Sequence, residues 1–404
     1  MAKGAIVTEP IYRPLEEADR ERAISLDAFS FNLPRATIGD WLTAERLANF
    51  RGLFVDGRLA AHLEIRPLHV STGSSELPAG GFGSVAVAPE YRGQGYAAHL
   101  LQAACLELRE RGLPLALLYP ARVSFYRRYG WAVVVERKIY SGSPANFSTF
   151  TPISGGWQPC GEEAIPELQA VYRGALRGRF GPFARDARWW REQVLHEFGQ
   201  EEPAHAFIWR DEQGQARTYL IFRFTSGSRR ERRMICRETV ALDPPARSQI
   251  FHFMAGLANQ CGEVLFRAPA DAPVNLLMPD PLRCEVEPYL MLRIVDVPAA
   301  LQSLEVPAAG AGSYTLAIHD AWLAPQPVVY RIEAAAGRLQ VTLLPPDTTA
   351  DLACAERVLA QILSRSLRPR TAAAFGLLEV HERAALKLFD RQFLGLMPFN
   401  SDFF

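Results

Sequence analysis

The segment running from Val85-Ala86-Val87 through Arg92-Gly93-Gln94-Gly95-Tyr96-Ala97-Ala98 constrains this chain more than any other. An apolar run of strand type passes through a short turn with two glycines into an amphipathic stretch that keeps helical spacing through Leu108. Such a turn leaves the first N–H groups of the helix without partners, and the helix dipole adds partial positive charge at the same point. Strand, turn and helix N-terminus together suit a pyrophosphate. Small residues at Gly95 and Ala97 would let the phosphates come close to the backbone. A second apolar run, Leu115–Tyr119, follows the helix, and after it comes the aromatic segment Phe125-Tyr126-Arg127-Arg128-Tyr129-Gly130-Trp131.

These residues carry a resemblance to the GCN5-related N-acetyltransferases, whose acyl-CoA site has the pattern Arg/Gln-x-x-Gly-x-Gly/Ala, met here by Arg92, Gly95 and Ala97. A fold of α/β (α+β) class is therefore expected. The whole chain resembles the enhanced intracellular survival (Eis) branch of those enzymes. The layout implied is a catalytic domain over residues 1–150, a second domain of the same fold without a CoA motif over 151–295, and a sterol-carrier-protein-like α+β domain over 296–404. Tyr172-Arg173 and Arg188-Trp189-Trp190 in the middle region share that resemblance.

The resemblance implies roles position by position. Val85, Ala86 and Val87 would pair with the pantetheine arm, and Arg92, Gly93, Gln94, Gly95, Tyr96, Ala97 and Ala98 would surround the pyrophosphate. Ala121 and Arg122 would touch the inner end of the cofactor. Tyr126 would protonate the departing thiolate, and the terminal carboxylate of Phe404 would be the general base. The co-substrate implied is acetyl-CoA, with no metal, and the acceptor is the primary amine of a cationic, aminoglycoside- or polyamine-like small molecule. Relatives of this kind assemble as homohexamers.

The chemistry is consistent with those roles. A carboxylate beside the acceptor attracts an ammonium and accepts its proton. An α-carboxyl titrates at roughly 3.3–3.7 in water, and burial against Phe399 and Phe403 would raise it. A bulge in the Val85–Val87 strand would present N–H groups to an oxyanion. A tyrosine hydroxyl with its ordinary pKa of about 10 is a fitting acid for a thiolate. From the residues alone, Tyr126 is equally placed to pack in its aromatic cluster, and Phe404 to act as a docked apolar anchor. Asp27, Glu64 and Asp402 are candidates for an acidic acceptor pocket, and Phe29, Phe31 and Trp41 for its apolar wall or for core.

Bulk composition narrows the alternatives. With 44 Lys+Arg against 44 Asp+Glu, no net charge draws the chain to nucleic acid or an anionic membrane. No segment reaches the roughly twenty apolar residues that a membrane span needs. The six cysteines are scattered without metal-ligand spacing, and Cys105 reads as a small buried apolar residue. A reducing, cytoplasmic location is expected. The eight histidines offer no competing site. Two other function classes stay open: a lipid- or ligand-binding regulatory protein with a vestigial CoA site, and a protein-lysine acetyltransferase.

Periodicity predicts further elements. Helices are expected over Leu15–Phe29 (Leu26 and Phe29 on one face), Ala164–Leu176, Trp189–Phe198, Arg247–Asn259, Asp351–Ser364 and Leu377–Phe393. Strands are expected over Gly52–Val55 and Leu59–Ile65, joined at Asp56-Gly57, and over Ala206–Arg210, Thr218–Phe224 and Val264–Pro269. Three more are expected over Gly312–Ile318, Val328–Ala334 and Gly337–Leu343. The Pro-Gly-Ser-rich residues 141–161 read as a linker.

Overall fold

The structure is a computed structural model, and it describes residues 9–196, 204–324 and 326–404. Its first seven strands are β1 (Ile11–Pro14), β2 (Phe50–Val55), β3 (Arg58–Thr72), β4 (Glu76–Val87), β5 (Leu115–Leu118), β6 (Ala132–Gly142) and β7 (Gly155–Pro159). Then follow β8 (Phe180–Phe183), β9 (His205–Asp211), β10 (Ala216–Phe224), β11 (Arg233–Ala241), β12 (Glu263–Pro269) and β13 (Arg283–Ile294). Among the described residues these form one thirteen-stranded sheet in the order β1-β2-β3-β4-β5-β13-β6-β12-β11-β10-β9-β7, with β8 beside β3. The last part of the chain adds β14 (Gly312–His319), β15 (Val328–Ala335), β16 (Arg338–Leu343), β17 (Leu352–Ala355) and β18 (Leu378–Val380), a five-stranded sheet ordered β16-β15-β14-β17-β18.

The large sheet is pseudo-symmetric about its middle. In the first half β4 runs parallel to β5, and in the second β11 runs parallel to β12. Each pair is closed by the last strand of the other half: β13 pairs antiparallel with β5, and β6 pairs antiparallel with β12. β6 and β13 pair with each other at the centre. The two halves have thus exchanged their closing strands.

The five-stranded domain is held to the sheet by packing and by one buried guanidinium. Helix Glu356–Leu363 buries Val358, Leu359, Ile362 and Leu363 in a core shared with Leu115, Val134, Leu290 and Leu292. Arg293 on β13, fully buried, reaches Asp320 at 2.6 Å and Glu356 at 3.2 Å. Gly130 of the aromatic segment makes room for it: a Cβ there would lie 1.5 Å from Arg293 Nη1, and its φ is +80°.

Several expectations are corrected. Residues 141–161 are not a linker, because β6 continues to Gly142, a short turn of helix spans Pro144–Phe147, and β7 forms a sheet edge. Leu352–Ala355 is a strand, and the helix begins at Glu356; β18 likewise precedes the helix Arg383–Gln392. In both places a short apolar strand abuts a helix and shares its hydrophobic pattern. The helix expected at Arg247 starts at Pro244 behind its cap Asp243. A helical turn Ala187–Trp189 passes into a π-helical stretch Trp190–Leu195, and Phe198 lies outside the described residues. Leu26 is buried but Phe29 is 62% exposed, so they do not share a buried face.

Candidate active site

β4 pairs with β5 only at Ala79, Gly80 and Gly81, then continues to Val87 with β3 as its neighbour on the other edge. Ser84, with φ of +44°, sits at a bulge where the β3–β4 register slips between His62 and Glu64. A bulge bends its strand and sharpens the local twist, which carries the outer half of β4 away from β5 and opens a wedge. The N–H of Ala88 donates to Ala60 O on β3 at 2.9 Å. By strand alternation, the peptide groups of Val87 and Val85 therefore face into the wedge.

Helix Tyr96–Glu110 begins at the mouth of this wedge. Its N-cap is Gly95 (φ +83°), and no side chain caps its first N–H groups. Gly93 has φ of +76°, and a Cβ on either glycine would meet nothing within 4 Å. These two glycines are needed for a left-handed backbone, and the space beside them is open. The turn thus offers unpaired donors and a positive dipole end to the cleft.

The cleft measures about 850 Å³ and is lined by Val85, Val87, Arg92, Gly93, Gly95, Tyr96, Ala97, Ala98, Ala121, Arg122 and Tyr126. Two of the cofactor residues named from the sequence stay out of its lining. The Ala86 side chain is buried with Leu26 and Ala88 on the far side of β4, and Gln94 turns back to donate to Glu90 O at 3.2 Å. Tyr91, Phe125, Arg128 and Tyr129 also line it. Of these, only the three within Phe125–Trp131 had a sequence signal, their place in the aromatic segment.

Tyr126 is buried at the inner side of the cleft, edge-on to Phe125 (5.0 Å between centroids) and to Trp131 (6.2 Å). Burial pushes its hydroxyl up to about 12, so it stays protonated through the physiological range. Cys105 lies wholly buried on the helix behind the cleft, and burial pushes its thiol up to about 12 as well, as suits an inert core residue.

Phe404 lies on the other face of β4. Its ring packs on Tyr119 (4.9 Å) and Phe183 (5.8 Å), and a Cβ on Gly81 would meet it at 2.7 Å. The preceding residues are locked in place. Asn400 donates to Gly181 O (2.8 Å) and accepts from the Tyr119 hydroxyl (3.0 Å), while Phe399 N–H donates to Phe180 O. Asp402 accepts from Arg185 Nε (2.9 Å) and Trp189 Nε1 (2.8 Å), and Arg185 also pairs with Glu238. Arg185 stacks 3.8 Å above Tyr172 and 4.8 Å from Trp190. Two buried carboxylates thus share one guanidinium. Burial raises Asp402, whereas Glu238 resists burial and is lowered by Arg185 and by bonds from Tyr219 and Ser401.

This arrangement corrects the acidic pocket. Asp402 is consumed by Arg185 and Trp189, Glu64 by Arg46 (2.9 Å), and Asp27 by His62 (Nε2–Oδ1 2.8 Å), all with buried carboxylates. A buried carboxylate is stable only when paired, which is why each found a partner inside the fold. The apolar wall divides too: Phe29 and Phe31 are exposed, while Trp41 packs edge-on to Phe50 beneath Arg46.

Residues 11–134 match the family described as an acetyltransferase (GNAT) domain, residues 181–294 match a second family of the same description, and residues 297–401 match the sterol carrier protein domain. The chain thus carries two GNAT acetyltransferase domains and a sterol carrier protein domain. An uncharacterized N-acetyltransferase of Streptomyces griseus is 26% identical over 323 residues, covering 72% of this chain and 74% of that protein. A GCN5-related N-acetyltransferase from Anabaena variabilis shares the fold with a TM-score of 0.87 at 23% identity, over 98% of this chain and all of that one. Eis1 from Mycobacterium abscessus does so with a TM-score of 0.78 at 21% identity, again over 98% and 100%. This GNAT enzyme therefore has tandem acetyltransferase domains followed by a sterol-carrier-like domain, and its fold implies use of acetyl-CoA. Among the described residues no helix is long and apolar enough to cross a membrane, and no three His, Cys, Asp or Glu side chains form a metal-sized cluster.

Proposed function

We propose that the enzyme transfers acetyl from acetyl-CoA directly to a primary amine of a cationic small molecule of aminoglycoside or polyamine type. The observation that carries this reading is the wedge between β4 and β5, with an uncapped helix N-terminus at its mouth and a protonated tyrosine at its inner side. The acceptor class is what the resemblance of the sequence to the Eis branch implies.

In this reading Val85 and Val87 offer their peptide groups to the pantetheine arm, with Ala86 between them, and Gly93 through Ala98 hold the pyrophosphate beside Arg92. Gln94 braces the turn rather than the ligand. Ala121 and Arg122 border the inner end of the arm. Tyr126 acts on the departing sulfur. With its pKa near 12 and a thiol near 8.5, full proton transfer would be uphill by about 5 kcal/mol. Tyr126 therefore stabilises the sulfur as a hydrogen-bond donor, and the thiol takes its proton from the one that the amine releases. An ammonium acceptor sheds a second proton before it attacks, and the carboxylate of Phe404 receives that one, on the acceptor side of β4. A homohexamer and a cytoplasmic location belong to the same proposal, the first checked by sedimentation at micromolar concentration.

The test is CoA release from acetyl-CoA across a panel of polyamines and aminoglycosides, with wild type beside Tyr126→Phe and a chain carrying one extra glycine after Phe404. Loss of turnover in both variants with acetyl-CoA binding intact is expected. Turnover that survives the added glycine would remove Phe404 as base. No turnover with any amine would sink the small-molecule reading and favour a protein substrate.

A further inference from the structure

The second half of the sheet holds its own wedge. β11 pairs with β12 only at Arg233, Met234 and Ile235, then continues to Ala241. Leu242 N–H donates to Arg217 O at 3.0 Å, so by alternation the peptide groups of Ala241 and Thr239 face the opening. A cavity of about 610 Å³ lies there, a size typical of small-ligand sites.

Its mouth is unlike that of the first wedge. Helix Pro244–Ala255 is capped by Asp243, whose carboxylate accepts from Ala246 N–H at 2.8 Å, and Pro244 and Pro245 have no N–H to give. A pyrophosphate would meet a carboxylate where it needs donors. The walls are apolar, with Leu176, Ile250, Phe251, Phe266 and Phe399 prominent. Positive charge is left at the rim and in the wall. Arg179 is spent on Asp271 and Met397 O, but Arg247 is exposed on the first turn of the helix, and Arg267, whose Nη1 donates to Cys236 O at 3.3 Å, keeps a buried Nε without a hydrogen-bond partner.

We propose that this second wedge binds a medium-chain carboxylate, its alkyl chain along the apolar walls and its head group between Arg247 and Arg267. The site is separate from the acetyl-CoA cleft and does not depend on the acceptor assigned above. One wall, Leu396 and Phe399, belongs to the segment that leads to Phe404, so an occupant would touch the chain that reaches the acceptor side.

The experiment is calorimetric titration of the full chain with octanoate, decanoate and decanol, in saturating acetyl-CoA to block the first cleft. Decanoate should bind below roughly 1 mM, and each methylene between the two acids should tighten binding about twofold to fourfold. Ser248→Trp, which fills the cavity from the helix, should abolish binding. Arg247→Glu should weaken decanoate about tenfold while leaving decanol within about twofold. Unchanged acetyl-CoA affinity in each variant reports that the fold survives. No decanoate binding by wild type, binding indifferent to both variants, or binding lost when acetyl-CoA is added would each overturn the proposal.

Discussion

The two wedges of the large sheet share their strand geometry and differ in a few residues at the mouth. Both arise where one member of a parallel pair outruns its neighbour, three paired residues in each case. In the first, Gly93 and Gly95 turn the chain with positive φ and leave a helix N-terminus bare. In the second, Asp243 and two prolines fill or remove the same donors. The fold supplies a slot twice, and the chemistry of the turn decides what enters it.

The comparison can be broken at several points. The largest effect is expected at Gly130→Ala, which forces Arg293 off its two carboxylates as well as a side chain into φ of +80°. Losing that buried pairing should cost about 3–5 kcal/mol, visible as a large drop in the denaturant midpoint. An unchanged midpoint would show that Arg293 does not tie the domains together. Gly95→Asp gives the first helix a cap like that of the second, and acetyl-CoA affinity should fall about 100-fold, ~2.7 kcal/mol, by calorimetry. Retained affinity would mean that the pyrophosphate lies elsewhere.

Tyr126 sharpens the contrast through pH. Its native pKa, near 12, exceeds the unfolded value of about 10, so the stabilisation is complete below pH 10 and fades as pH rises through 12, by about 3 kcal/mol in all. Tyr126→Phe should flatten that alkaline loss and lower kcat about 100-fold with acetyl-CoA KM within about twofold. A kcat that stays level would return Tyr126 to packing alone. The smallest effect belongs to Asp243→Ala. Removing the cap should cost about 1 kcal/mol of stability without creating acetyl-CoA affinity, because Pro244 and Pro245 still lack donors. Measurable acetyl-CoA binding at the second wedge would mean that the cap alone had closed it.

The first mouth was legible because glycine spacing and an apolar strand are local signals, and the structure places nearly every residue so named around one cleft. The bonds that fix the far end of the chain were not. Arg185, Glu238 and Asp402 look like surface charges in a sequence, and only their spatial convergence shows that they are interior. β13 escaped notice for a related reason. Its first half, Arg283-Cys284-Glu285-Val286-Glu287, is polar and largely exposed, and its apolar half, Leu290–Ile294, says nothing of which sheet neighbour it will take. Periodicity reports which face is buried and never the partner that buries it.

The exchange of β6 and β13 has a consequence for inheritance. A half whose wedge lacks a bare helix N-terminus would ordinarily be free to drift. Here its final strand is the wall against which β5 of the first half is closed. Any substitution that unravels the second half also strips the first, so selection on catalysis guards both, and neither can be shed or shuffled into another gene by itself.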